Sequence, residues 1–187
     1  PLFRQAVTLL ASRIPGLITV LPTVPHVAAK VRAATGDWPT PLHVVEGEAD
    51  KFAAFHAANA ALAASGTVTA ELALSHTPMV VGYKVGGLTF FLSKFLMTVT
   101  HITLINILLG REAVPEFLQA KATPENLAGA VEHLFRDAGA RDVQIDAMKD
   151  FGRLLGEGDE SPSLRAARVL LEFVEKSELR VCAPLQE

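Results

Sequence analysis

The stretch Ala60–Tyr83, AALAASGTVTAELALSHTPMVVGY, decides the fold. Its two ends, Ala60–Ala64 and Met79–Tyr83, are short apolar runs, and Thr67–Ser75 between them reads as a helix. Strand, helix and strand in so few residues make a βαβ unit, and the crossover helix forces the two strands parallel. The same alternation extends upstream. Leu17–Leu21 (LITVL) and Leu42–Val45 (LHVV) read as strands, Pro25–Ala34 and Ala49–Ala58 as helices, and Leu88–Met97 continues the series downstream. The strands are apolar on both faces, as a sheet covered by helices on both sides requires. The expected fold class is therefore α/β, a parallel sheet with helices on both faces and a C-terminal helical segment.

Before the first strand, Pro1–Ile14 is apolar at Leu2, Phe3, Val7, Leu10 and Ile14, close to the helical period, and Pro15-Gly16 stops it. A helix leading into the first strand implies an earlier strand. The chain starts without an initiator Met, in the middle of a pattern, and has no charged n-region followed by an apolar h-region and cleavage site. It reads as a piece of something longer.

After residue 110 the pattern changes. Thr123-Pro124-Glu125-Asn126 opens a helix with Thr as N-cap, Pro at the first position and acid in the first turn. A second helix covers roughly Asp142–Leu155, Gly156–Ser163 reads as a turn, and a last helix covers Leu164–Glu175. The expected organisation is residues 1–120 as the sheet domain and 121–187 as helices that complete or leave it.

Composition narrows the function. The chain has 187 residues, 50% of them hydrophobic, and a net charge of −3. It can bury a core, and its charge argues against a nucleic acid partner. Cys182 is the only cysteine, and the six histidines (26, 43, 56, 76, 101, 133) form no close pair, so no metal site is expected. Residues 85–110 carry a single charge, Lys94, yet Gly86-Gly87, four threonines, His101 and Asn106 argue against a membrane span. This segment reads as a helix, a buried strand at Ile102–Leu104, then a loop. It is either a core or interdomain element or a patch that touches lipid or an acylated ligand.

Ser65-Gly66-Thr67 lies between an apolar run and a helix. A strand ending in small residues before a helix N-terminus suits an anion, because free backbone N–H groups and the helix dipole point at it. From the tripeptide alone, a plain strand-to-helix turn with Ser65 as N-cap is the simpler reading. Glu71 is four residues past Thr67, whereas a capping box needs a spacing of three. It is either a surface acid or a carboxylate poised for ribose hydroxyls. Asn106 sits in the apolar run LINILL (104–109) and must be hydrogen-bonded, as a satisfied turn residue or a ligand contact.

ALAASGTVTAELALSHTPMVVGYKV (61–85), NILLGREAVPEFLQ (106–119) and ATPENLA (122–128) together closely resemble the lipid-A-disaccharide synthase family. The resemblance runs in order over nearly the whole chain and is strongest over residues 46–130. It implies the C-terminal, UDP-binding half of a B-type glycosyltransferase with two Rossmann-like domains. That enzyme moves 2,3-diacylglucosamine from UDP to 2,3-diacylglucosamine 1-phosphate, forming the β(1→6) lipid A disaccharide, without a cofactor. The resemblance implies that Ser65, Gly66 and Thr67 hold the diphosphate and Glu71 the ribose. It places Met79, Val80 and Tyr83 on the strand beside the nucleotide, and Lys84, Asn106, Glu116 and Gln119 in the cleft. Lys84 stands where the family has Arg, Gly86-Gly87 where it has Ser-Pro, and Ile105 where it has Pro. The family's Gly-Ser-Arg loop would precede Pro1. No catalytic residue is expected in this chain, since the base belongs to the N-terminal domain, so the chain alone is expected to bind without turnover. The implied partners are the two acylated sugars and the inner-membrane surface, which makes the protein cytoplasmic and peripheral on that membrane, with a homodimer left open. The competing readings are the UDP-binding domain of another UDP-N-acetylhexosamine glycosyltransferase or epimerase, and a non-catalytic nucleotide-binding or membrane-attaching module.

Overall fold

The computed structural model describes residues 2–84, 101–157 and 162–181. Helix α1 (Leu2–Arg13) leads into β1 (Thr19–Thr23), α2 (Pro25–Ala34), β2 (Leu42–Glu46), α3 (Glu48–Ala57) and β3 (Ala61–Ala63). Then come α4 (Thr67–Leu74), β4 (Met79–Tyr83), α5 (Leu104–Leu109), β5 (Glu116–Leu118) and a 3-10 turn (Gln119–Lys121). The chain continues through α6 (Pro124–Arg136), α7 (Ala138–Leu154) and α8 (Pro162–Val181). The expected helix Leu88–Met97 lies outside the described residues.

Among the described residues all strand pairing is parallel, in two ladders: β1-β2, and β3-β4-β5 with β4 in the centre. The single sheet expected from the alternation is thus interrupted, and among the described residues β1, β2, β3 and β5 each keep one edge without a strand partner. The ladders nevertheless run the same way. Lys51, in the first half of α3, meets Glu71 Oε1 in the middle of α4 at 2.9 Å, and further along the chain the Thr77 hydroxyl, just after α4, donates to the Phe55 carbonyl near the end of α3 at 3.0 Å. Both contacts advance in chain order along the two helices, which sets α3 and α4 running the same way, and with them the strands that feed them.

The core explains the other face. Helices α1 and α6 pack on each other and on β4, burying Ala6, Leu10, Val80, Leu127, Ala128, Val131 and Leu134. Each buried leucine contributes about 2 kcal/mol. Gly82 on β4 is needed for this approach, since a Cβ there would lie 3.0 Å from Leu127 Cδ2 and 3.1 Å from Phe3 Cε1. The expected cap of α6 is present: Thr123 Oγ1 accepts the Asn126 N–H at 3.2 Å, with Pro124 at the first helical position. Helix α7 buries Gln144, Ala147, Met148 and Phe151, an i, i+3, i+4, i+7 stripe.

The expected strand Ile102–Leu104 is not one. Thr103 is the N-cap of α5, which ends at Gly110 in the left-handed conformation (φ 64°). The helix is preferred because backbone N–H groups of this segment are drawn onto the Glu116 carboxylate rather than onto a neighbouring strand. Conversely, β5 was not expected, being three residues long, half-buried and begun by a Glu after Pro115. β1 starts two residues later than expected because Gly16 (φ 75°) holds the turn after α1.

By packing, the chain divides into residues 1–151 and 152–187. The change in composition after residue 120 therefore falls inside the first unit. In the second unit α8 is longer than the expected Leu164–Glu175, and its Leu170, Leu171 and Phe173 are largely exposed.

Candidate functional site

In a parallel sheet, ligands collect beyond the carboxyl ends of the strands, where loops open and helices begin. The register brings the candidates to that edge. Ala63 pairs with Val81, and Tyr83 with Leu118. Ser65-Gly66-Thr67 therefore follows β3, Tyr83-Lys84 ends β4, and Gln119 follows β5. These are three neighbouring strand ends.

The first loop feeds the N-terminus of α4. Gly66, not Ser65, is the N-cap, and no side chain caps this end. Gly66 and Thr67 are exposed, and a Cβ at Gly66 would meet nothing within 4 Å. The buried Thr69 returns its N–H (3.2 Å) and its hydroxyl (2.8 Å) to the Gly66 carbonyl, fixing the first turn. Among the described residues, then, the Thr67 and Val68 N–H groups at the start of α4 have no side-chain partner, which leaves them available to an anion. Ser65 is half-buried and its hydroxyl donates to the Ile102 carbonyl at 3.2 Å.

Glu71 is half-buried one turn into α4, and its Oε1 is held by Lys51 at 2.9 Å. Lys51 in turn lies 4.6 Å from the Phe52 ring centroid. Glu71 is thus neither a capping residue nor an unpaired surface acid: one oxygen is fixed by an ammonium. Tyr83 and Lys84 are exposed. Gln119, half-buried, adopts φ 48°, a left-handed conformation that costs a non-glycine residue about 1 kcal/mol and is commonest at working sites.

Four candidates stand elsewhere. Met79 and Val80 are fully buried, so their side chains do not line the opening. Met79 also lies at the amino end of β4, where its N–H and carbonyl are both held by the Gln144 amide at 2.8 and 3.2 Å. Asn106 is 0% exposed. Its amide nitrogen donates to the Val114 carbonyl and to Glu116 Oε1, both at 2.8 Å, and its oxygen accepts the N–H groups of Ala113 (2.7 Å) and Val114 (2.9 Å). Its side-chain capacity is spent within the chain, so of the two readings the satisfied residue is the correct one. The Glu116 side chain is 5% exposed and faces the same cluster, not the opening.

Gln144 was missed by sequence reasoning, although a Gln on an otherwise apolar helical stripe signals a buried partner. Among the described residues there is no cluster of metal-binding side chains and no helix long and apolar enough to cross a membrane. Two open cavities, of about 320 Å³ beside Trp38 and Thr40 and about 500 Å³ beside His133 and Gln144, lie away from the three strand ends.

A family model described as lipid-A-disaccharide synthetase matches residues 1–169. The chain is similar to the lipid-A-disaccharide synthases of Rhodospirillum centenum (45% identical, covering 94% of this chain and 44% of that protein) and Paramagnetospirillum magneticum (43%, covering 92% and 44%). That of Bradyrhizobium diazoefficiens is 42% identical over 84% of this chain and 40% of its own length. The chain thus spans less than half the length of these curated relatives. A match over most of the chain, by model and by sequence alike, places it in the lipid-A-disaccharide synthetase family.

Proposed function

We propose that this chain is the nucleotide-sugar-binding half of a lipid-A-disaccharide synthase, and that it holds UDP at the carboxyl ends of β3, β4 and β5. The observation that carries the proposal is the open, uncapped start of α4 at Gly66-Thr67, with Glu71 one turn behind it and the Tyr83-Lys84 and Gln119 strand ends beside it. The amides of Gly66 and Thr67 and the Thr67 hydroxyl donate to the diphosphate, and Lys84 adds charge. The second oxygen of Glu71 accepts the ribose hydroxyls while Lys51 holds the first. The whole protein transfers diacylglucosamine from UDP to diacylglucosamine 1-phosphate, with the catalytic base supplied from outside this chain.

Acylated substrates at a membrane surface suit the remaining features. Leu104, Ile107 and Leu108 on α5 are each 44% exposed, on one side of a short helix, and the sequence preceding it is almost uncharged. Surplus apolar surface of this kind accompanies a lipid-facing site better than the cleft of an epimerase acting on a soluble sugar.

Calorimetric titration with UDP and with its 2′,3′-dideoxyribose analogue tests the ribose role. Glu71→Ala is expected to weaken UDP about tenfold, at the cost of a charged hydrogen bond, and to leave the analogue nearly unchanged. Equal losses for both ligands would remove Glu71 from the ribose.

A further inference from the structure

We infer that Glu116 is a positioning residue that sets the Ser65–Thr67 loop through a single peptide plane, and that Ser65 is an anchor of that loop rather than a donor to the ligand. The inference rests on the nucleotide reading only for its consequence, not for its geometry.

A carboxylate removed from water is costly unless its lone pairs are used. Those of Glu116 are taken by one short segment. The Ile102 N–H donates to Oε2 at 3.0 Å, the Thr103 N–H to Oε1 at 2.8 Å, the Asn106 amide to Oε1 at 2.8 Å, and the Thr103 hydroxyl also donates to Oε1. His101 Nδ1 stands 3.8 Å from Oε2. The Thr103 N–H and the Ile102 C=O belong to the same trans peptide unit, so they point in opposite directions. When Glu116 pulls the N–H toward β5, the carbonyl is turned outward, where it accepts the Ser65 hydroxyl at 3.2 Å. The carboxylate at the start of β5 thereby reaches the loop after β3 without touching it.

The consequence is specific. The Ser65 hydroxyl proton is committed to Ile102, so only its lone pairs are presented outward, and lone pairs repel a diphosphate. The donors left for the anion are the Gly66 and Thr67 amides and the Thr67 hydroxyl. Ser65 contributes by holding them still, which lowers the ordering cost of binding.

A double-mutant cycle with Ser65→Ala and Glu116→Gln separates this from direct contact. Two quantities are read on the full chain: amide exchange at Thr69 without ligand, and UDP affinity. Thr69 reports on the loop because its N–H is bonded to Gly66. Each single variant is expected to speed Thr69 exchange severalfold and to weaken UDP about tenfold, and the double variant to be no worse than Glu116→Gln alone. Additive losses, or a Ser65→Ala variant that weakens UDP with Thr69 exchange unchanged, would overturn the proposal. If Glu116→Gln does not fold, Thr103→Val, which removes one hydroxyl from the carboxylate, takes its place in the cycle and is read for the same non-additivity. Failure of the wild-type chain to bind UDP would sink the nucleotide reading, while the exchange measurement would still decide the linkage.

Discussion

Asn106 and Gln119 show how differently two polar residues assigned to one cleft can be used. Asn106 joins α5 to the strand that follows, through four hydrogen bonds that no other side chain supplies. Asn106→Ala leaves the buried N–H and carbonyl of Val114 without their side-chain partners, and a loss of about 3 kcal/mol in urea unfolding is expected. Gln119 is the opposite case. It holds a left-handed conformation that glycine adopts freely, so Gln119→Gly should raise stability by about 1 kcal/mol while weakening UDP binding. A variant that gained neither stability nor a binding defect would mean that the backbone there is unstrained and unconnected with the site. That Asn106 had to be bonded follows from its place in an apolar run, but its partners do not. Its partners, Ala113, Val114 and Glu116, lie seven to ten residues on and meet it only when the chain after Gly110 folds back over α5.

At the scale of elements, what could be read in advance were those whose signals are local. β4, α2 and the start of α6 lie where apolar runs, Pro at the first turn and the Thr123 cap put them. Residues 102–104 and β5 misled the local reading because a buried carboxylate from fourteen positions away decides the conformation of Ile102. The union of α1 and α6 carries a pH dependence. Hydrogen bonds from Arg136, then Arg13, hold the Glu132 carboxyl below its ordinary value of 4.5. A depressed carboxyl contributes its stability above the unfolded value and loses it as pH falls through the folded one. Thermal melts of Glu132→Gln should therefore fall less steeply than wild type below pH 4.5, with the two curves parallel near neutrality. A variant with an equally steep acid limb would mean that these ion pairs add nothing to the packing of the helices.

For the whole molecule, the parallel α/β architecture was legible because alternation of strand and helix is a property of the chain as a line. The division of the strands into two ladders was not, since strand edges exist only in three dimensions. The family follows from similarity across almost the full length, whereas the position proposed for the site rests on register, which brings the ends of β3, β4 and β5 together. With less than half the span of its relatives, the chain is expected to bind nucleotide and to form no disaccharide when supplied with both acylated sugars. The most direct test of the central claim is a UDP titration of the isotopically labelled chain followed by backbone amide shifts. The account predicts saturable changes concentrated at Gly66–Thr69, Tyr83-Lys84 and Gln119. An unchanged spectrum at millimolar UDP, or changes gathered around Trp38 or Gln144 instead, would contradict it.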